Sequence, residues 1–427
     1  MNPKELYQLF VHYPSVQTDT RKIKAGDLFF ALKGPNFNGN SFAAQAIEAG
    51  AAYAFVDEEQ YSDGSRIILV PDVLETLQQL ALYHREQFNI PFIAITGSNG
   101  KTTTKELVHA VLSSRFKTYT TQGNLNNHIG IPLTLLSIKK DAEMAVIEMG
   151  ANHQKEIEAY CKFTLPTHGI ITNCGKAHLE GFGGEEGVRK GKGELFDYLR
   201  TNNGTAFVNW DYDYLQEMSK GIQMVYTYGT AGAHLNGNII QSEPFLSVSI
   251  EDEAELERID TQLVGAYNLP NVLVAVTLGM HFNIEPFRIK KSIEQYVPSN
   301  SRSQLVNYNN NQVILDAYNA NPSSMRAAIE NLASLHAPKK ILVLGAMAEL
   351  GEESLAEHQN IIDLIGKHPW HSVALVGGDF QKLQHPYWSF ANAKEAREWF
   401  LQQQFNEAYI LIKGSRSMGM ERVIAAD

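Results

Sequence analysis

Residues 96–104 combine two glycines with a lysine and several threonines directly after a short apolar run. Gly97 and Gly100 let the backbone turn its N–H groups towards an anion, and the start of a following helix adds unpaired N–H groups and partial positive charge. Lys101 can neutralise phosphate oxygens, and the Thr102 hydroxyl can hold Mg²⁺. The segment therefore predicts a loop that binds nucleotide phosphates, and the alternative is an ordinary turn between a strand and a helix.

The spacing of this loop differs from the common phosphate loop, G-x-x-x-x-G-K-[ST]. Counting back from Gly100 puts Ile95 where that pattern has its first glycine, so the chain carries the shorter form T-G-x-x-G-K-T. Ile93 and Ile95 are typical of a buried strand end, and apolar residues recur at helical spacing between residues 101 and 114. A strand and a helix are thus expected to hold the loop between them.

Two other side chains follow predicted strands and can take part in phosphate or metal chemistry, and a lysine lies further along the chain. Glu148 closes an apolar run and can complete a magnesium shell, whereas its alternative is a helix-capping or turn glutamate. His178 also follows a strand end and is either a ligand or a structural hydrogen-bonding residue. Lys192 cannot bind a metal while it is protonated, so its chemistry alone indicates a surface cation.

Asparagines and an arginine offer further recognition groups. Asn268 and Asn271 precede an apolar helix, where their amides can read an adenine edge or cap the helix. Arg21 can donate a bidentate pair of hydrogen bonds to a diphosphate or carboxylate, or it can be a solvated arginine in a turn. Polar clusters also follow three predicted strands near the C-terminus, at residues 316–324, 345–351 and 413–421, which indicates a binding surface.

Composition describes an ordinary globular protein with material for two to four domains. The 427 residues are 44% hydrophobic and 19% charged, with a net charge of −11, which argues against broad binding to nucleic acid or anionic membranes. Cys161 and Cys174 lack metal-ligand spacing and are typical of a reducing compartment. No signal pattern begins the chain, and no apolar run reaches the ~18 residues of a membrane helix. The sequence predicts a cytoplasmic protein without membrane insertion.

Hydrophobic periodicity divides the chain into three α/β domains, at residues 1–88, 89–298 and 299–427. The first is small, with short strands and helices in alternation. The second alternates strands and helices in a way that predicts a mostly parallel sheet of phosphate-loop type with helices on both faces. The third repeats the alternation and is expected to be Rossmann-like. Ligands of such sheets gather at the carboxyl ends of strands.

The predicted strands are short apolar runs. In the first domain they are 27–32, 52–56 and 67–70. In the central domain they are 92–96, 145–149, 169–173 and 206–209. In the third domain they are 313–316, 341–344, 373–376 and 409–412.

Together with the loop, five motifs in chain order resemble those of the Mur ligases of bacterial cell-wall synthesis. They are Gly123-Asn-Leu-Asn-Asn-His-Ile-Gly-Ile-Pro132, Glu148-Met-Gly-Ala-Asn-His153, Ala177-His-Leu-Glu-Gly-Phe182, Asp316-Ala-Tyr-Asn-Ala-Asn-Pro322 and Lys413-Gly-Ser-Arg-Ser417. The resemblance covers almost the whole chain and is strongest to members that add a dipeptide. The loop with which a sibling enzyme reads a free amino acid is not found here.

The resemblance implies an activity as well as a fold. It implies an ATP-dependent ligase that adds D-alanyl-D-alanine to UDP-N-acetylmuramoyl-tripeptide through an acyl phosphate, with two Mg²⁺ sites and a monomeric state. Two alternatives stay open: a sibling ligase that uses another amine, and a nucleotide-binding switch that recruits a partner without catalysis. A nucleic-acid motor is disfavoured by the acidic balance.

The resemblance also assigns residues to ATP and metal. Lys101, His178 and Lys192 are expected to be catalytic. Thr102 and Glu148 would hold one Mg²⁺ and His178 a second, and Lys192 occupies the position that is N-carbamylated in this family, which would make it an anionic oxygen donor. The residues expected to bind ATP are Gly97, Asn99, Gly100, Lys101, Thr102, Thr103, Asn268, Asn271, Arg302 and Asp316.

The two other substrates are assigned in the same way. Thr20 and Arg21 resemble part of the uridine-diphosphate site. The remaining residues expected to bind substrate are Asn124, Asn126, Asn127, Asn319, Asn321, Lys413, Ser415 and Arg416. The chain departs from the family at Asn38-Gly-Asn40, where Asp-Gly-His is frequent, and at Tyr267, where a histidine commonly precedes Asn268.

Overall fold

The structure is a computed structural model that describes residues 2–299 and 301–425. Contacts divide the chain into two compact units. The first unit runs to Ala94 and also includes Phe116–Gly150 and Glu156–Gly169, and the second takes in Ile95–Arg115, Ala151–Lys155 and the chain from Ile170 onwards. Within the described residues, the strands form sheets of four, nine, six and two strands.

The N-terminal segment folds around the four-stranded sheet. Its elements are α1 (Pro3–His12), β1 (Val16–Gln17), β2 (Leu28–Phe30), β3 (Lys33–Gly34), β4 (Phe37–Asn38), α2 (Ala43–Glu48), β5 (Tyr53–Val56), β6 (Ile67–Leu69) and α3 (Val73–Arg85). Strands β1, β2, β5 and β6 pair in that order and are parallel. The side chains of Asn2 and Asp72 cap α1 and α3 by accepting backbone N–H groups, which satisfies donors that a helix start leaves unpaired.

The middle of the chain contributes the nine-stranded sheet. Its elements are β7 (Phe92–Thr96), α4 (Lys101–Ser113), β8 (Thr118–Thr120), α5 (Gly130–Leu136), β9 (Met144–Glu148), α6 (Glu156–Thr164), β10 (His168–Ile171), α7 (Leu179–Phe182), α8 (Glu185–Thr201), β11 (Thr205–Asn209), α9 (Asp213–Ser219), β12 (Met224–Gly229), β13 (Leu235–Gln241), β14 (Ser247–Ile250), β15 (Ile259–Asp260), α10 (Leu269–His281) and α11 (Pro286–Gln295). The strand order is β15-β14-β13-β12-β11-β10-β7-β9-β8. Strand β7 therefore lies inside the sheet, and all five of its residues are buried.

The C-terminal segment forms the six-stranded sheet. Its elements are β16 (Gln304–Tyr308), β17 (Asn311–Asp316), α12 (Pro322–Ser334), β18 (Lys340–Gly345), α13 (Ser354–Ile365), β19 (Ser372–Val376), β20 (Trp388–Phe390), α14 (Ala393–Gln403) and β21 (Tyr409–Lys413). The order is β16-β17-β21-β18-β19-β20, parallel except for the antiparallel pair β16–β17. Val343, Ile410 and Phe400 lie in its buried core, where α14 packs on the strands.

Each segment predicted as a domain contains one of the three large sheets, so the predicted three-domain α/β fold class is confirmed. The predicted strands are present with ends shifted by a few residues. The sequence interpretation missed the antiparallel edge formed by β13, β14 and β15. These strands lie at the rim of the sheet, and β13 exposes most of its second half, so the apolar runs that identify inner strands are missing there. The boundary predicted at residues 298 and 299 adjoins residue 300, which lies outside the described residues.

Across the residues that the structure describes, none of the helices is both long enough and apolar enough to span a lipid bilayer.

Candidate active site

The predicted phosphate loop connects β7 to α4 and depends on its two glycines. Gly97 has φ +142° and Gly100 has φ +80°, conformations that residues with a side chain rarely adopt. A Cβ on Gly97 would lie 2.0 Å from the Thr172 hydroxyl oxygen, and one on Gly100 would lie 2.7 Å from the Asn271 side-chain oxygen. Backbone conformation and space therefore both require glycine at these two positions, and phosphate binding by the turn stays a prediction.

Hydrogen bonds hold the loop against the segment that follows β10. Ser98 N–H donates to the Asn173 carbonyl at 2.9 Å, and Asn99 N–H donates to Asn173 Oδ1 at 3.0 Å. Lys101 Nζ donates to the Gly97 and Ser98 carbonyls at 2.6 and 3.1 Å. The ammonium group thus lies inside the turn, above the N-terminus of α4, where charge and unpaired N–H groups together suit a bound phosphate.

Asn268 and Asn271 form a buried chain that reaches the helix of the loop. Thr104 Oγ1 donates to Asn271 Oδ1 at 3.0 Å, Asn271 Nδ2 donates to Asn268 Oδ1 at 2.8 Å, and Asn268 Nδ2 donates to the Val264 carbonyl at 2.9 Å. Asn268 stands at the start of α10, yet its side chain makes no capping hydrogen bond there. The helix-capping alternative is therefore wrong, and contact with adenine stays a prediction.

Glu148 is a buried carboxylate at the end of β9, in the first unit. Its side chain is 1% exposed, its N–H donates to the Thr121 hydroxyl at 3.0 Å, and its Oε1 accepts from Asn126 Nδ2 at 2.8 Å. The next helix, α6, begins only at Glu156, so Glu148 is not a helix cap. A buried carboxylate held by an amide has the chemistry to bind a cation.

The asparagines predicted to bind substrate in this region have unequal surroundings. Asn126 is engaged by Glu148, as described above. Asn127 Oδ1 accepts the N–H groups of Ile129 and Gly130 at 3.1 and 2.8 Å, which orders the entry into α5. Asn124 is exposed. The geometry thus gives Asn126 and Asn127 local positioning tasks, and substrate contact stays a prediction for all three.

Lys192 is buried, with an exposed fraction of 1%. Its Nζ donates to the Ala151 carbonyl at 2.9 Å and lies 4.8 Å from the centre of the Phe182 ring. The surface cation indicated by lysine chemistry alone is therefore wrong. Burial raises the pKa of the Cys174 thiol to about 12, and the charges of Lys192 and Arg189 oppose that rise. A buried lysine beside a strand end suits the carbamylated role that the resemblance implies.

His178 has a left-handed backbone, with φ +52°, and its Nδ1 lies against the Glu349 carboxylate. The hydrogen bond from His178 is the main cause that holds the pKa of Glu349 below its usual value. Glu349 also has a left-handed backbone, with φ +62°. Such conformations cost energy in non-glycine residues and concentrate at functional sites. Across residues 2–299 and 301–425, no three His, Cys, Asp or Glu side chains form a metal-binding group.

The polar cluster after β17 and β21 is organised by an ion pair. Lys413 Nζ lies 2.5 Å from Asp316 Oδ2, with side chains 2% and 16% exposed, and it also donates to the Asn319 carbonyl at 3.2 Å. Arg302 stacks its guanidinium 3.6 Å from the centre of the Tyr318 ring. These residues were predicted to bind ATP or the dipeptide, and the structure brings them together at one edge of the C-terminal sheet.

The remaining predicted C-terminal residues differ in exposure. Ser415 is buried and its Oγ donates to the Ala346 carbonyl at 2.7 Å. Arg416 is exposed and forms an ion pair with Glu421 at 3.3 Å. Tyr267, at the departure from the family, pairs its hydroxyl with Ser303 Oγ at 2.9 Å, and burial followed by the charge of Asp316 raises the pKa of this phenol. Tyr267 therefore belongs to the Asp316 cluster.

Replacing Asp316 by alanine is expected to destabilise the protein by about 3 kcal/mol, because Lys413 would be left buried without its charge partner. Chemical denaturation followed by circular dichroism measures the change. Asp19→Ala is the matched control, since it removes a pair whose arginine side chain is 87% exposed, and no measurable change is expected there. Equal stability of the Asp316→Ala variant and the unaltered protein would contradict the predicted effect.

Arg21 lies in a short 3-10 turn and is exposed, which agrees with the alternative of a solvated arginine in a turn. Its Nη2 pairs with Asp19 Oδ2 at 2.8 Å, and the hydrogen bond from Arg21 lowers the pKa of Asp19 to about 2. Thr20 begins the same turn. Contact of either residue with a diphosphate stays a prediction.

Asn40, at the other departure from the family, is buried. It exchanges hydrogen bonds with Asp57 at 2.8 and 2.9 Å and so braces the N-terminal sheet.

Three residues beside the loop were missed in the sequence. Thr172 Oγ1 and Asn173 Nδ2 both donate to the Asn99 carbonyl, at 2.6 and 3.1 Å. Ser323 Oγ accepts from Asn99 Nδ2 at 2.9 Å. Thr172 and Asn173 had a usable signal, because they are polar residues at the end of a predicted strand. Ser323 had none beyond its place in a polar cluster.

Three models of Mur ligase domains match this chain. The Mur ligase family catalytic domain matches residues 12–85, the Mur ligase middle domain matches residues 95–279, and the Mur ligase glutamate ligase domain matches residues 301–416. The UDP-N-acetylmuramoyl-tripeptide–D-alanyl-D-alanine ligase of Bacillus subtilis (strain 168) is 33% identical over 430 residues, which cover 98% of this chain and 93% of that protein.

Two solved structures share the fold along nearly the full length. A crystal structure of MurF from Acinetobacter baumannii has a TM-score of 0.88 and 30% identity, and covers 99% of this chain and 97% of that one. The MurF ligase of Thermotoga maritima in complex with ADP has a TM-score of 0.84 and 25% identity, and covers 96% of each chain.

Proposed function

The chain belongs to the Mur ligase family, and we propose that it joins D-alanyl-D-alanine to UDP-N-acetylmuramoyl-tripeptide in a reaction driven by ATP. The observation that carries this proposal is the full-length likeness to proteins that bear this activity in their names. The phosphate loop, with Lys101 inside its turn, supports the use of ATP, as does the ADP complex of the Thermotoga relative. The product would be the pentapeptide precursor of the bacterial cell wall.

The first step is phosphoryl transfer. A carboxylate oxygen at the end of the tripeptide attacks the γ-phosphorus of ATP, the bond from that phosphorus to the bridging oxygen breaks, and ADP leaves with the electron pair. Negative charge on the transferred oxygens is stabilised by the Lys101 ammonium and the N–H groups at the start of α4. These groups are fixed before the reaction by the glycine geometry of the loop, so little reorganisation is needed.

The second step forms the amide. The amine of the dipeptide attacks the carbonyl carbon of the acyl phosphate, and the carbon–oxygen bond to phosphate breaks after a tetrahedral intermediate. The amine gives one proton to solvent, and phosphate leaves with the electron pair. No protein nucleophile is required, because activation comes from the acyl phosphate. Positioning and cationic groups therefore supply most of the rate.

The donor set also suits Mg²⁺. On the basis of the family resemblance, Thr102 and Glu148 are proposed to bind one ion and His178 a second, and Lys192 is proposed to be a carbamylated metal ligand. Bound magnesium would neutralise phosphate charge. The protein's own part is to keep these donors oriented: Asn126 fixes Glu148, and the Ala151 carbonyl fixes Lys192.

The domain roles follow from the same proposal. Residues 1–88 would bind the UDP-linked substrate, residues 89–298 ATP, and residues 299–427 the dipeptide, the last segment also closing on ATP. Thr20 and Arg21 are proposed contacts to the uridine diphosphate, and Asn319 and Arg416 are proposed contacts to the dipeptide and the growing peptide. We also propose a monomer located in the cytoplasm.

One incubation tests the activity. The protein is mixed with ATP, Mg²⁺, the UDP-linked muramoyl tripeptide and D-alanyl-D-alanine, and the product is identified by mass. The expected result is the pentapeptide with release of ADP and phosphate. Turnover only with another amine would favour the sibling ligase, and ATP binding without phosphate release for any acceptor would favour the nucleotide-binding switch.

A further inference from the structure

Hydrogen bonds hold the backbone N–H and carbonyl of Asn99, a residue of the phosphate loop. Its N–H donates to Asn173 Oδ1 at 3.0 Å, and its carbonyl accepts from Thr172 Oγ1 and Asn173 Nδ2 at 2.6 and 3.1 Å. Its backbone polar groups are therefore both fixed to the end of β10. Because the peptide groups cannot rotate without breaking these bonds, the side-chain amide projects from a fixed backbone.

That amide binds the start of helix α12, in the same compact unit. Asn321 Nδ2 donates to Asn99 Oδ1 at 2.8 Å, and Asn99 Nδ2 donates to Ser323 Oγ at 2.9 Å. The ring closes because Ser323 Oγ donates to Asn321 Oδ1 at 3.0 Å. Asn99 thus closes a cyclic network with two side chains that lie more than 200 residues further along the chain. We name this network, formed by Asn99, Asn321 and Ser323, the loop clasp.

Neighbouring contacts show that the approach is close. A Cβ on Gly175 would lie 2.7 Å from Ser323 Oγ, so only glycine lets α12 come this near. Lys176 Nζ donates to Glu357 Oε1 of α13 at 2.7 Å, and that carboxylate is buried. A buried carboxylate requires a partner of opposite charge. This ion pair is therefore a second contact between the segment that follows β10 and the C-terminal helices.

We propose that Asn99, Asn321 and Ser323 are positioning residues of the ligase reaction, and the proposal rests on the function proposed above. The clasp fixes the phosphate loop in register with Asp316 and Asn319, which are proposed to contact ATP and the dipeptide. Asn321 was expected to bind substrate, but its Oδ1 accepts the N–H of Ser324 and the Ser323 hydroxyl while its Nδ2 is given to Asn99. Its task is to set the distance between the acyl phosphate and the attacking amine.

The chemistry of the network sets the size of the effect. The bonds are between neutral groups, so each contributes modestly, and losing one should lower kcat by about three- to tenfold. Catalysis falls because a small misplacement of two reacting groups reduces the rate more than it reduces binding. The KM for ATP should stay within about twofold for Ser323→Ala, since this serine does not belong to the phosphate loop.

The test is a double-mutant cycle with Asn99→Ala, Ser323→Ala and the combined variant, in the full chain. Ser324→Ala is the matched control: Ser324 lies on the same turn, and its hydroxyl bonds only to Asn321 backbone groups at 3.1 Å. Melting temperatures should fall alike for Ser323→Ala and Ser324→Ala. Only Ser323→Ala should lower kcat, and adding it to Asn99→Ala should change kcat by less than about twofold, because the bond is already lost.

Three outcomes would contradict the proposed positioning role of the clasp. One is a kcat of Ser323→Ala equal to that of Ser324→Ala. Another is a combined variant whose loss is the product of the single losses, which shows independent sites. The third is a large effect of Asn99→Ala alone with a raised KM for ATP, which shows that this amide serves the nucleotide instead. Pentapeptide formation by the unaltered protein is measured before any variant is compared. If no pentapeptide forms, the proposed function fails, and the clasp is not the cause.

Discussion

Replacing Lys101 by alanine is expected to lower turnover by about a hundredfold to a thousandfold while the protein keeps its fold. A full positive charge within the turn of the loop stabilises the charge that develops on the transferred phosphoryl group, and a single preorganised donor in such a site is worth about 10² to 10³ in rate. The Lys101 ammonium faces carbonyls of its own loop, so its loss leaves the strands and helices in place. Steady-state release of ADP with both peptide substrates measures the effect.

Lys101→Met separates charge from shape, because methionine keeps an unbranched stem of similar length without the cation. Both variants should be equally inactive and should unfold at nearly the same denaturant concentration as the unaltered protein. Ligase activity close to normal in either variant would remove the assignment of phosphate binding to this loop. An unfolded alanine variant with a folded, inactive methionine variant would still support the charge as the decisive property.

Replacing Lys192 by alanine is expected to remove most activity, and added acetate or formate is expected to restore part of it. The side chain is 1% exposed, so its removal leaves a space beside the Ala151 carbonyl that a small carboxylate can enter. Carboxylate oxygens would take the place of the carbamate oxygens that are proposed to hold magnesium. Activity is measured as a function of carboxylate concentration, and rescue should saturate.

Lys190→Ala is the matched control for this experiment, since Lys190 lies on the same helix α8 and its side chain is 65% exposed in a pair with Glu186. It should keep full activity and should not respond to acetate. A second readout needs no turnover: in the unaltered protein, ¹³C-labelled bicarbonate should give a carbamate carbon signal that is absent from the Lys192→Ala variant. Full activity of Lys192→Ala without any carboxylate would count against carbamylation.

The sequence alone determined the features whose cause is local. Gly97 and Gly100 could be recognised because glycine is the residue that tolerates left-handed backbone, and Lys101 follows them at the start of a helix. The inner strands could be predicted because a strand buried on both faces is a continuous apolar run. Glu148 was found because it stops such a run, and His178 was found because it follows the end of another.

Only the tertiary structure decided what those polar residues touch. Lys192 was indicated as a surface cation by its own chemistry, and packing buries it against Phe182. The sequence left open whether Asn268 caps a helix or reads an adenine edge, and in the structure its side-chain amide donates to the Val264 carbonyl. Asn99 meets Asn321 across 222 positions. Hydrogen-bond partners and burial depend on residues that are distant in the chain. The sequence shows which donors and acceptors a side chain carries, but only the fold determines which neighbour forms the hydrogen bond.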